Sequence, residues 1–235
     1  MKAAIMQPYF FPYLGYYSLI KHSDKWILFD VVQFIRHGWI ERNRILKPGE
    51  GWQYVKVPLE KHNRSTLIKD IKIKNQEPWR ELIIAQLQHY KKKAPYFNQT
   101  IQVVENALNI ETDNITVLND HILKKTSEYI GLSYQSSILS DMNMPIYDIR
   151  EPDEWALNIC LSVGANSYVN PPGGIKIFDK TKYEKHKIKL NFLSIILLEY
   201  NQRRIPFEPG LSIIDVMMFN EPDKINGMLD RYDLL

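Results

Sequence analysis

An α/β fold with a largely parallel, Rossmann-like sheet, flanking helices and a helical insert is what this sequence of 235 residues predicts. Three observations carry that reading. Short apolar runs that end in a polar residue alternate with segments of helical period. Trp26 to Val32 is bulky, β-branched and almost free of alternation, as a strand buried on both faces requires. Three helical segments then follow one another between residues 76 and 132. The chain accordingly reads as an N-terminal α/β half (1–75), a helical insert (76–132) and a C-terminal α/β half (133–235) within one compact unit.

The first run, Lys2 to Met6, is too short for a helix, and Pro8 and Pro12 lack the amide proton a helix would need, so a strand ending near Gln7 is expected. From Leu14 the apolar residues Tyr17, Leu19 and Ile20 return at helical spacing, with Gly15 allowing a close approach. Lys47 to Gly51 reads as a turn, Trp52 to Val57 as a strand, and Ile68 to Ile73 as an edge strand alternating with charges. The insert's helices are expected at Glu77–Lys92, opened by Pro78, at Phe97–Leu108, and from Thr112 or Asp113 to a cap at Gly131. Beyond it the pattern predicts strands at Tyr134–Leu139, Asn166–Val169 and Ile188–Leu198. Helices are expected at Glu151–Val163, Asp179–His186 and Pro209–Phe219.

Composition narrows the class. A content of 45% hydrophobic and 24% charged residues is ordinary for a globular chain, and 13 prolines against 10 glycines suggest defined loops. The net charge of +3 gives no polyanion footprint, so specific DNA binding is not expected. One cysteine, Cys160, rules out an internal disulfide and fits a reducing compartment; it reads as a buried thiol in an apolar helix, with a nucleophile as the alternative. No run of about 18 apolar residues occurs, so the expected location is the cytoplasm, with peripheral contact to the inner membrane left open. The six histidines are scattered, no metal-ligand spacing appears, and the Walker, dinucleotide and Gly-x-Ser-x-Gly fingerprints are missing.

Candidate site residues sit at strand ends, where the carboxyl edge of an open parallel sheet forms a crevice. Gln7, Asp30, Ser137, Asn170 and Tyr200 all lie near such ends, and they line one pocket if the ends share an edge. Tyr9 and Tyr13 read either as a ligand platform or as aromatic lids over the core. Asp30 reads either as a general base or amine anchor, or as the structural partner of Arg42 or Arg44, because a carboxylate buried alone would be costly. Gly173 and Gly174 in Asn170-Pro171-Pro172-Gly173-Gly174, with Lys176 behind, suit an anion held by backbone amides; a tight turn is the alternative. Ser137 lies in a serine cluster of either anion-binding or turn character. Leu59 to Ser65, with Lys61, His62 and Arg64, reads as a flap or as a solvated loop. Ser212 and Asp215 share capping-box spacing.

These residues also carry a resemblance. Gln7-Pro8-Tyr9-Phe10-Phe11-Pro12-Tyr13-Leu14-Gly15-Tyr16, Asp30-Val31-Val32-Gln33-Phe34 and Gly38-Trp39-Ile40-Glu41-Arg42-Asn43-Arg44-Ile45 resemble the signature blocks of the WbqC-like protein family. The likeness continues through Val57-Pro58, Ala94-Pro95-Tyr96-Phe97, Tyr168, Gly173-Gly174 and Leu211-Ser212-Ile213-Ile214-Asp215, nearly the whole chain. The family often has a second Asp after Asp30, where this chain has Val31. Membership implies an association with bacterial O-antigen and other surface-polysaccharide synthesis, and glycine or aminoacyl transfer has been suggested for some members. The opening segment is also similar to pantothenate synthetases and other nucleotidylyl transferases. In those enzymes two histidines hold the phosphates, and here Tyr13 and Tyr16 stand in the matching positions.

The resulting expectation is a group transferase of surface-glycan assembly, transferring an acyl or aminoacyl group to an amino sugar carried by a nucleotide or a lipid. Asp30, Gln7 and Asn43 are the catalytic candidates. Tyr9, Tyr13, Gly15, Gln33, Trp39, Arg42, Arg44, Ser137, Asn170, Gly173, Gly174, Lys176, Tyr200 and Gln202 are the binding candidates. The co-substrate is ATP or an activated acyl or aminoacyl donor. Alternatives are ATP-dependent adenylate-forming or nucleotidylyl chemistry, and a sugar-binding or scaffold protein without catalysis. A homodimer is compatible with the sequence.

Overall fold

The computed structural model describes residues 1–144, 149–204 and 206–235. Strand β1 (Lys2–Met6) leads through the proline loop into helix α1 (Leu14–Lys21) and strand β2 (Lys25–Leu28). A hairpin, β3 (Arg42–Leu46) and β4 (Trp52–Lys56), precedes helices α2 (Trp79–Leu87), α3 (Phe97–Leu108) and α4 (Ile115–Tyr129). Then come β5 (Ser136–Ile138), α5 (Glu154–Ser162), β6 (Ser167–Asn170), α6 (Lys180–Lys185) and β7 (Lys189–Ile195). The chain closes with α7 (Ile213–Phe219), α8 (Pro222–Met228) and β8 (Tyr232–Leu234).

The six-stranded sheet has the order β5-β2-β1-β6-β7-β8. All its pairs are parallel except β7 with β8. Ranked by position along the chain, these strands run 3-2-1-4-5-6, the doubly wound order in which the winding reverses between the first and fourth strands. The fold is thus a mixed α/β, Rossmann-like architecture. The hairpin of β3 and β4 stands apart as its own two-stranded sheet.

Side-chain alternation along the strands divides the core in two. Ala4, Trp26, Leu28, Val169 and Leu193 face a large apolar layer built with α1, the insert helices, α7 and α8. Ala3, Ile5, Ile27, Tyr168, Leu190 and Phe192 face a smaller layer with α5 and α6. Cys160 lies there, fully buried, and burial pushes its thiol up to about 12. Helices on both faces explain why the strand runs are apolar throughout. Among the described residues, no helix is long and apolar enough to cross a membrane.

Local chemistry sets several boundaries. Asn114 caps α4, its side chain accepting from Thr116 N at 2.8 Å and Val117 N at 3.2 Å. Gly131 follows that helix at φ +66°, a left-handed turn that favours glycine. The strand expected over Trp26–Val32 ends at Leu28, and two further expectations need correction. Ile68 to Ile73 is not a strand: Ile68–Asp70 forms a 3-10 turn, and Ile68, Ile71 and Ile73 are buried through isolated bridges and turn contacts. Asp215 is not half of a helix cap. Ser212 Oγ alone accepts from Ile214 N at 3.2 Å, while Asp215 points into a buried polar cluster.

Candidate active site

Five parallel strands bring their carboxyl ends to one edge, and the winding reverses between β1 and β6. Two adjoining cavities open there, of about 380 Å³ and 820 Å³, and Met6, Tyr9, Pro171 and Gly173 line both. They form one cleft at the switch point, the position that favours ligands in doubly wound sheets.

The smaller lobe is aromatic and carries one cation. Tyr9, Tyr13, Tyr16, Trp39, Asn43 and Arg44 contribute to its wall. On β3 and β4, arginines cover the rings of diagonal cross-strand neighbours. The Arg42 guanidinium lies 4.0 Å from the Tyr54 ring centre, and that of Arg44 lies 5.2 Å from Trp52 and 5.5 Å from Trp39. Only Arg44 of this pair lines the cleft. One of its terminal nitrogens donates to Gly210 O at 3.2 Å, and its Nε is buried without a partner. Arg44 makes no ion pair among the described residues.

The proline loop is held rigidly above this wall. Asn43 Nδ2 donates to Phe10 O at 3.0 Å, and its Oδ1 accepts from Arg44 N at 2.8 Å. Asn119 on α4 donates to Pro8 O at 2.8 Å and to Ile40 O at 2.9 Å. Tyr16 is sealed beneath, its hydroxyl donating to Gln7 O at 2.5 Å. Gly15 has a steric purpose: a Cβ there would meet the Tyr13 ring at 2.5 Å. Burial raises the phenol pKa of Tyr9 and Tyr13, so both remain O–H groups at neutral pH.

The larger lobe takes Gln7, Phe29, Gln33, Glu151, Asn170 and Gly174 among its walls. Asn170 Nδ2 donates to Tyr168 OH at 2.7 Å. Gln33 Nε2 donates to Arg64 O at 2.7 Å, and Phe34 N to Thr66 O at 2.9 Å, so the Leu59–Ser65 segment is pinned against the cleft's rim. The two glycines differ. A Cβ on Gly174 would meet the Phe178 ring at 2.8 Å, whereas one on Gly173 would meet nothing within 4 Å.

Several sequence-predicted residues lie elsewhere, each for a visible reason. Asp30 is only 1% exposed and accepts from Ser140 N at 3.1 Å and Ser140 Oγ at 2.7 Å. It joins the ends of β2 and β5, pairs with neither Arg42 nor Arg44, and is absent from the cleft lining. Burial pushes its carboxyl upward, against the lowering effect of the Ser140 hydrogen bonds. Ser137 lies within β5 and accepts from Lys25 Nζ at 2.8 Å. Lys176 is exposed and outside the lining. Tyr200 and Gln202 are buried with Asp215, to which they donate at 2.5 Å and 3.1 Å. Tyr90 completes that cluster, donating to Asp215 at 2.6 Å.

Sequence reasoning overlooked Asn119, Glu151 and Gly210. Asn119 was findable: it lies beside Leu118 on the apolar face of α4, where a polar residue needs partners. Gly210 left no local signal, because its role depends on Arg44 arriving from a distant strand.

Comparisons with known proteins match nearly the whole chain. The chain is 26% identical over 223 residues to the uncharacterized protein Rv1507c of Mycobacterium tuberculosis, covering 93% of each. No solved structure matches it. The model of the WbqC-like protein family matches residues 7–227, from the end of β1 to α8, and the chain belongs to that family.

Proposed function

We propose that the switch-point cleft is the active site of a group transferase whose substrate is a sugar linked to a nucleotide or lipid pyrophosphate. The observation that carries this reading is Arg44, a cation without a carboxylate partner among the described residues, set between Trp39 and Trp52. A guanidinium beside aromatic rings suits a ligand with a phosphate next to a flat or apolar face. Tyr9 and Tyr13 supply phenolic donors, and Gln7 and Asn170 supply amides near the strand ends.

The reaction class that suits the family's suggested role is acyl or aminoacyl transfer to an amino sugar. The amine nitrogen attacks the donor's carbonyl, an amide bond forms, the leaving group departs with its electron pair, and the amine's proton passes to a base. Among the described residues Glu151 is the carboxylate on the cleft lining, 3.6 Å from Lys182 Nζ, and takes that role here. Asp30, bound to Ser140, serves as a positioning group for the ends of β2 and β5. The doubly wound strand order also suits ATP-dependent nucleotidylyl transfer. Tyr16 argues against it: it stands where those enzymes carry a phosphate-holding histidine, and its hydroxyl is sealed against Gln7 O.

Titration calorimetry with a UDP-linked amino sugar and with a polyprenyl diphosphate tests the reading. Arg44→Gln should weaken the bound member of that panel by about tenfold or more, the effect of losing a charge-assisted contact. Glu151→Gln should retain binding and lose turnover. Pyrophosphate release from ATP alone, with no binding of either compound, would favour nucleotidylyl chemistry. Binding without turnover across acyl and aminoacyl donors would leave a sugar-binding protein.

A further inference from the structure

The turn between β3 and β4 roofs a second cavity, of about 350 Å³, which shares no lining residue with the cleft. Its polar lining is Lys47, His89, Tyr90, Lys93, Gln202 and Arg204, and among the described residues no carboxylate contributes to it. Lys47, Lys93 and Arg204 make no ion pair among the described residues. Arg204 donates from one terminal nitrogen to Gly51 O at 3.0 Å, which ties the hairpin turn to the wall, yet its Nε is buried without a partner. His89 stands on the same wall, with Nδ1 against Gln86 O at 2.6 Å and the Leu46 backbone as a second partner.

The carboxylate behind this wall does not neutralise it by direct contact. Asp215 spends both oxygens on Tyr90, Tyr200 and Gln202. Gln202 is fully used as well, since its Oε1 accepts from Glu208 N at 2.9 Å. What faces the cavity is therefore excess positive charge, with no carboxylate among the described lining residues. Three cations around one small cavity repel one another unless an anion lies among them, and Arg204 Nε, buried without a partner, leaves that guanidinium short of a hydrogen bond.

We propose that this cavity is a binding site for a phosphate-bearing anion, separate from the switch-point cleft. Guanidinium offers phosphate a planar fork, and the two ammonium groups add point charges that tolerate several phosphate orientations. Arg44 plays the comparable part in the cleft's smaller lobe, and because the two sites share no lining residue each can be addressed by its own substitutions.

The test is calorimetric titration of the full chain with inorganic pyrophosphate, run on Arg44→Gln protein so that anion binding in the cleft's smaller lobe is weakened. Binding of about one equivalent is expected. In the same background, Lys47→Gln with Lys93→Gln should weaken it by about tenfold or more. Both lysines are exposed, so the paired change leaves the core untouched. Lys91→Gln with Lys92→Gln, an equally exposed pair outside the cavity, is the charge control and should bind as before. No pyrophosphate binding in the Arg44→Gln protein, or equal loss in both lysine pairs, overturns the proposal. Glucose 1-phosphate and vesicles containing phosphatidic acid, titrated in parallel, distinguish a sugar phosphate or a lipid headgroup from the free anion.

Discussion

Replacing Asp215 by alanine should lower the melting temperature by roughly 10 °C, equivalent to about 3 kcal/mol or more for a chain of this size. Asp215 is fully buried and accepts from the Tyr90 and Tyr200 hydroxyls and the Gln202 amide. These donors come from separate parts of the chain: Tyr90 follows α2, while Tyr200 and Gln202 belong to the segment after β7. Tyr90 also accepts from Leu46 N at 2.9 Å, so the cluster reaches the end of β3. Alanine would strand every one of those donors and leave a cavity.

The same carboxylate gives stability a pH signature. Burial raises its pKa from 3.8 to about 6, against the lowering effect of its three donors. Between those values the native state holds a proton that the unfolded chain has released, so stability falls as pH rises through the window. The contribution is fully present below pH 3.8 and is lost above about 6, a swing of about 3 kcal/mol. Urea unfolding from pH 4 to 7 should show this descent in the native protein. It should be shallower in Asp215→Asn, where the raised Asp30 carboxyl still titrates but position 215 does not; equal slopes in the two proteins would refute the assignment.

Much of the scaffold was legible because burial and period coincide. Trp26 to Leu28 lies in a strand covered on both faces, as expected, although β2 stops short of Phe29 to Val32, and Phe97–Leu108 was bounded by the break at Pro95 before it. Ile68 to Ile73 failed because alternation reports which side chains are buried and not whether a partner strand is present. At the site, Gln7, Asp30 and Asn170 were correctly placed near the carboxyl edge because a strand's last residue is visible in sequence. What each side chain touches there was not. Ser140 claims Asp30, and Asp215 claims Tyr200, through contacts 110 and 15 residues apart in the chain. Arg42 and Arg44 share one face of β3 and one residue type; their difference arises from the loop bearing Gly210, which reaches only Arg44.

The adjacent glycines of the β6 loop separate a binding surface from a packing requirement. Gly173→Trp should abolish ligand binding in the cleft, by about a hundredfold or more, while moving the melting temperature by no more than a few degrees. A Cβ at Gly173 meets nothing within 4 Å, so the backbone accepts a side chain without strain. The position lines both lobes, and the apolar walls of Met6, Tyr9 and Pro171 would hold an indole in the space a ligand needs. Gly174→Ala should do the reverse. Its Cβ would lie 2.8 Å from the Phe178 ring and 3.2 Å from Asn170 Cγ, an overpacking that costs about 1 to 3 kcal/mol. Thermal melts and titration with the UDP-linked amino sugar, run on both variants, give the comparison. Undiminished binding by a well-folded Gly173→Trp protein would place the ligand elsewhere, because Gly173 lines both lobes of the cleft.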